Sequence, residues 1–212
     1  VNGEPAPPTF VGAAMLMGGR GRRLGFDKRR LTHADGRSVV AVLAHALVEV
    51  FGRITYVGAA PALPGAPEGP VLADAGEGQG PPGALRTVLA HSPPGWLAVC
   101  ALDLPKLTVE DLHTLRREAL ACRDARVVAP RSEGYGHLLA GAWHTDALRF
   151  FPTGPPDAAG RLPSLHAWAQ AAGVRYFAPR DENALANVND PEAARAAGVR
   201  RADDGGGHRP LH

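Results

Sequence analysis

Leu16 to Lys28 (LMGGRGRRLGFDK) packs four glycines and four basic side chains into about one loop's length. Glycine lets backbone N–H groups turn inward and approach a ligand closely. Arg and Lys add charge that a polyanion neutralises well. A triphosphate meets both demands; a flexible, solvated basic turn is the alternative. Asp103 stands at the end of the apolar run Trp96 to Leu102 and is followed by Leu104 and Pro105. A carboxylate there suits Mg²⁺, which takes oxygen ligands and bridges phosphates; otherwise it is a residue that ends a strand. Asp74 ends the shorter run Val71-Leu72-Ala73, with Gly80-Pro81 after it; the structural alternative there is a cap or an Asx-turn. Near the C-terminus, Asn187-Val188-Asn189-Asp190-Pro191-Glu192 predicts a helix opened by Pro191 and capped by Asp190.

These residues need a frame that brings them together. Phe10 to Leu16 reads as a buried first strand, and Ser38 to Phe51 has apolar residues at helical spacing with Ser38 as N-cap. Arg53 to Gly58 reads as a second strand, Pro81 to His91 as a helix opened by prolines, and Thr108 to Cys122 as a helix capped by Thr108. The unbroken apolar run Trp96 to Leu102 fits a strand covered on both faces. Arg126 to Ala129, Leu138 to Trp143 and Val174 to Phe177 are further strands; Thr145 to Phe151 and Leu162 to Ala172 are helical. Pro191 to Ala197 closes the ordered part. Alternation of strand and helix predicts an α/β fold with a mostly parallel central sheet, whose ligands bind at the carboxyl ends of the strands. The expected organisation is a loose segment 1–9, one domain over 10–200 and a disordered glycine-rich tail 201–212.

The glycine loop resembles the L-A-G-G-x-S-x-R-M-G-x-D-K signature of nucleotidyltransferases related to the molybdenum cofactor guanylyltransferases. Met17, Gly21 and Leu24 depart from it. Cys100-Ala101-Leu102-Asp103-Leu104-Pro105 is similar to the family's C-x-x-D-x-P, and Asn187 to Glu192 to its N-V-N-x-P-E. The resemblance implies a three-layer, Rossmann-like fold of the nucleotide-diphospho-sugar transferase type. It implies that Arg23 and Lys28 contact phosphates, that Leu16, Met17 and Gly18 lie along the guanine and ribose of GTP, and that Gly19 belongs to the same GTP-binding set. Asp74 would contact the nucleotide, Asp103 would hold Mg²⁺, and Asn187 and Asn189 would reach the second substrate and the metal-phosphate region. Relatives often carry Asn after the second strand, where Val57-Gly58-Ala59 stands here, and His-Pro or Gln-Pro where His137-Leu138 stands. His137 is read as a loop histidine satisfied locally, the alternative being contact with the second substrate.

The implied reaction is Mg²⁺-dependent transfer of GMP from GTP to the terminal phosphate of molybdopterin, or of its molybdenum form, with release of pyrophosphate. Arg23, Lys28 and Asp103 would act on the phosphates, and no general base is assigned. A relative using CTP or another acceptor, or a nucleotide-binding accessory protein without catalysis, is the alternative. A nicotinamide-binding fingerprint is disfavoured: Phe26 to Arg37 is basic and turn-rich where a helix should begin, and no acidic residue closes the second strand. The formal charge of +2 gives no ground for nucleic-acid or membrane binding. The two cysteines form no metal-binding spacing, and no apolar run reaches membrane length. The expected setting is cytoplasmic, with transient contact to cofactor-biosynthesis or molybdoenzyme-maturation proteins.

Overall fold

The computed structural model describes residues 9–18, 24–74, 80–152 and 164–202. Its centre is a mixed, mostly parallel sheet. Strand β1 (Phe10–Leu16) lies between β3 (Ile54–Val57) and β5 (Trp96–Ala101), parallel to both, and β4 (Val71–Leu72) extends the β3 edge in parallel. Beyond β5 the order continues through β8 (Ala140–His144), antiparallel, then β6 (Val127–Ser132) and β9 (Val174–Phe177). A two-residue strand β7 (Tyr135–Gly136) folds back on β6.

Helices cover both faces, which is why β5 has no polar alternation. Trp96, Ala98 and Cys100 of β5 pack in the layer of α1 (Val39–Phe51) and α3 (Val109–Ala121). Leu97 and Val99 pack in the layer of α2 (Pro81–His91) and α4 (Leu165–Ala172), around Trp143 and Trp168. The helix ends follow their sequence signals. The Ser38 hydroxyl accepts from Ala41 N, Thr108 and Asp111 form a reciprocal capping box, and Gly52 ends α1 in the left-handed region at φ 84°.

Two expectations need correcting. A second, two-stranded sheet joins β2 (Leu31–His33) to β10 (Val199–Arg201), in segments read as turn-rich and as lying beyond the last ordered helix. Strands of three residues are too short to show alternation; partners distant in sequence make them. The second concerns a helix start: α4 begins at Leu165, later than the expected Leu162, whereas the helix expected over Thr145 to Phe151 is present as a 3₁₀ helix, Thr145–Phe150. Residues 162 and 163, the outer parts of segments 1–9 and 201–212, Gly19 and Arg23 lie outside the described residues.

Candidate active site

The register of the parallel strands puts the candidate residues on one rim. Leu72, Val57, Leu16 and Ala101 are aligned partners across β4, β3, β1 and β5. One or two residues farther on, at the carboxyl end of each strand, stand Asp74, Gly58, Gly18 and Asp103. Gly58 has φ +95°, and a Cβ there would lie 3.7 Å from Gly18 N and 4.0 Å from Asp74 Cβ. An L side chain at Gly58 would be strained whatever space it found. Leu16 and Met17 are buried in opposite helix layers, so their side chains are core; what they present to a ligand at the rim is backbone.

Lys28 reaches this rim from a short 3₁₀ helix, Lys28–Arg30, capped by Asp27. The Asp27 carboxylate accepts from Arg29 N at 2.9 Å and from the Arg29 guanidinium at 2.6 and 2.9 Å. The side-chain hydrogen bond from Arg29 holds the Asp27 carboxyl below the ordinary carboxylate value. Arg29 also donates to Ala60 O at 3.2 Å, tying the turn to the loop after β3. The turn is thus fixed on both sides of Lys28.

The Lys28 ammonium donates to Asp103 Oδ2 at 3.0 Å and to Asn189 Oδ1 at 2.6 Å. The Lys28 and Asp103 side chains are 13% and 19% exposed, so the pair is shielded yet within reach of solvent. Asp103 is held by its neighbours, since Leu102 and Leu104 are both buried. Its carbonyl accepts from Val188 N at 2.9 Å. Val188 is buried in a small core with Leu24, Leu31, Val39, Ala194 and Val199, built around the second sheet. That anchor turns Asn189 toward Lys28 and leaves Asn187 lining a cleft beside Asp103. Asp190 caps α5 (Pro191–Ala196), its carboxylate accepting from Ala193 N at 2.8 Å. The basic turn, the D-x-P segment and the N-V-N segment therefore meet at one ammonium group.

The cleft measures about 190 Å³ and runs from Asp103 and Asn187 to Tyr135, His137 and His166. Reasoning from sequence missed Tyr135 and His166; the available signal, for Tyr135, was an aromatic residue set between two glycines. His137 has a local partner, Ser132 Oγ at 2.8 Å from its Nε2, and still lines the cleft.

Burial, the leading cause in each case, holds His33, His137 and His144 below the ordinary imidazole value of 6.5. Below that value the unfolded chain binds more protons than the folded one, so stability rises with pH. The contribution is complete above the unfolded value and is lost as pH falls through the folded ones. Tm is expected to drop between about pH 7 and about pH 5; a thermal melt series with flat Tm across that window would refute this.

Residues 13–180 match the family described as MobA-like NTP transferase domain. The chain is 38% identical over 195 residues to a Mycobacterium tuberculosis protein named "Probable molybdenum cofactor guanylyltransferase", covering 88% of this chain and 92% of that one. A Mycobacterium marinum protein of the same name is 32% identical over 191 residues, with the same coverage. Among solved structures, molybdopterin-guanine dinucleotide biosynthesis protein A from Archaeoglobus fulgidus superposes with TM-score 0.63 at 21% identity, over 87% of this chain and 95% of that one. A nucleotidyl transferase from Methanothermobacter superposes with TM-score 0.69 at 18% identity, over 88% and 95%. Both structural likenesses carry the fold.

Proposed function

We propose, because the chain belongs to the MobA-like NTP transferase domain family and is a nucleotidyltransferase, that it moves GMP from GTP onto the terminal phosphate of molybdopterin or its molybdenum form. The observation that carries this reading is the junction of Lys28, Asp103 and Asn189 on the rim shared by Gly18, Gly58 and Asp74. The names of the relatives supply the acceptor and the nucleotide.

The donor set at the junction is oxygen-only, a carboxylate and an amide carbonyl. Among the described residues no group of three or more His, Cys, Asp or Glu could cage an ion. Such a set fits Mg²⁺, which binds through one or two carboxylates and completes its shell with water and phosphate oxygens. Asp103 would hold it, with Asn189 beside it. When bound, it would supply charge neutralisation on the phosphate oxygens.

Lys28 would release Asp103 and Asn189 and donate to the triphosphate, stabilising charge that gathers on pyrophosphate. Arg23 and Gly19 are proposed to add donors from the loop. The backbone at Leu16, Met17 and Gly18, opposite Asp74, would seat the nucleoside. An acceptor phosphate oxygen attacks the α-phosphorus in line; a new P–O bond forms as the bond to the β-phosphate oxygen breaks. No protein base is required, because a phosphate monoester with second pKa about 6 is already largely dianionic at neutral pH. Positioning by Asn187 and Asn189 supplies much of what remains. The working unit proposed is the single domain 10–200, acting in the cytoplasm with transient contacts to proteins that make or receive the cofactor. Among the described residues no helix is long and apolar enough to cross a membrane.

The test supplies each nucleoside triphosphate in turn, with Mg²⁺ and molybdopterin, and measures pyrophosphate and the dinucleotide product. GTP is expected to be turned over at least about tenfold faster than CTP, the loss expected when a site's hydrogen bonds to the wrong base go unmade. Gly58 offers no side-chain hydrogen bond to a base and so does not select guanine over cytosine, which is the ground for the CTP reading. Preference for CTP would establish it, and GTP binding without product would mark an accessory protein.

A further inference from the structure

The wall of the cleft opposite the basic turn is built with unusual restraint. Strands β6 and β7 are joined by Glu133 and Gly134, at φ 48° and 79°. Two left-handed turn residues match the twist of a tight hairpin. Gly136, just past the turn, lies on the Tyr176 ring so closely that a Cβ would come within 2.4 Å of its Cε1. The Arg131 guanidinium sits 5.3 Å from the centre of that ring and donates through Nε to Gly134 O at 3.1 Å. His137 N donates to Pro130 O at 2.9 Å, and its ring is held by Ser132.

This scaffold holds one large side chain that the core does not use. Tyr135 is 56% exposed. Its ring centre is 5.2 Å from that of His137, edge to face, and 5.2 Å from that of His166 at the start of α4. All three rings line the cleft that ends at Asp103 and Asn187. Strand order decides what would use them. Gly18, Gly58 and Asp74 stand at the ends of β1, β3 and β4, on one side of Asp103; Tyr135 belongs to the β6–β7 hairpin on the other side of β5, with the His137 and His166 rings 5.2 Å from it. A nucleotide seated on the first side leaves the second free for the acceptor.

We infer that Tyr135 and His166, with His137 behind them, form an aromatic platform against which the flat heterocycle of the acceptor stacks, so that its phosphate projects toward Asp103. This rests on the reading that the acceptor is a pterin phosphate. A ring fixed before binding loses little conformational freedom when a planar ligand covers it. Burial disfavours the protonated form of the His137 ring, so the ring adds polarity with less charge to draw the acceptor phosphate away from Lys28.

The probe is 6-hydroxymethylpterin phosphate, whose fluorescence is quenched on stacking. Wild-type protein is expected to quench it. Tyr135→Ala and His166→Ala are each expected to raise its Kd by about tenfold, within the range for loss of one aromatic stacking partner. Both raise KM for molybdopterin more than they lower kcat and leave the Kd for GTP unchanged. Tyr135→Phe, which keeps the ring, recovers most of the pterin affinity. If both alanine variants bind the probe and turn over molybdopterin as wild type does, the platform is wrong and the guanylyl-transfer reading stands. If wild-type protein binds GTP but neither binds the pterin nor transfers GMP to molybdopterin, both fail.

Discussion

Asp103→Asn is expected to lower GMP transfer about a thousandfold at saturating GTP and acceptor, the several kcal/mol that charge neutralisation at a phosphoryl centre supplies. The substitution is nearly isosteric, and its effect follows from lost charge. Asp103 sits between two buried leucines and is tied through its carbonyl to Val188, so the backbone has little reason to move. An amide still accepts from Lys28 but binds a hard dication far less well. The distinguishing readout is affinity for GTP measured with and without Mg²⁺. Wild-type protein gains affinity when the ion is added, whereas Asp103→Asn gains little. Retention of the ion's effect in the variant would remove Asp103 from its proposed role.

Lys28→Met is expected to reduce turnover by about 10²- to 10³-fold, as loss of one preorganised charged donor does. Methionine keeps most of the aliphatic stem, so packing around the 3₁₀ turn survives. Here GTP affinity falls in the presence and absence of Mg²⁺ alike, which separates the variant from Asp103→Asn. Lys28→Arg is not expected to restore activity. The ammonium meets two oxygens, Asp103 Oδ2 and Asn189 Oδ1, from separate segments, a point-charge geometry that a planar guanidinium fork does not reproduce. Wild-type turnover by Lys28→Met would exclude the lysine from the reaction.

Much of this architecture was legible because its signals are local. Ser38, Thr108 and Asp190 announce their helices through hydrogen bonds to residues three positions on, and the apolar run of β5 shows a strand covered on both faces. The rim was legible too, since a buried strand ending in Asp103 can aim that residue only at the carboxyl edge. What could not be read depends on partners far apart in the chain. Strands β2 and β10 exist because residues 31–33 meet residues 199–201, and no three-residue pattern encodes that meeting. The contact between Lys28 and Asn189 spans 161 positions. Leu16 and Met17 were expected beside the nucleoside by resemblance, yet burial commits their side chains to the two helix layers. Tyr135 escaped notice because an aromatic in a two-residue strand has no periodicity to mark it.

The late position of Val188 and β10 has a consequence for biosynthesis. Val188 N closes on Asp103, Asn189 on Lys28, and Ala202 N on Arg30 O at 2.8 Å. Each contact joins a segment made early to one of the last described residues to leave the ribosome. Closing loops of this length is slow compared with forming local helices. A nascent chain can therefore assemble β1, β3 and β5 well before Lys28 is fastened in place, and competence for transfer arrives as a final, separate event. In a refolding experiment, far-ultraviolet ellipticity would return first and enzymatic turnover would lag behind it.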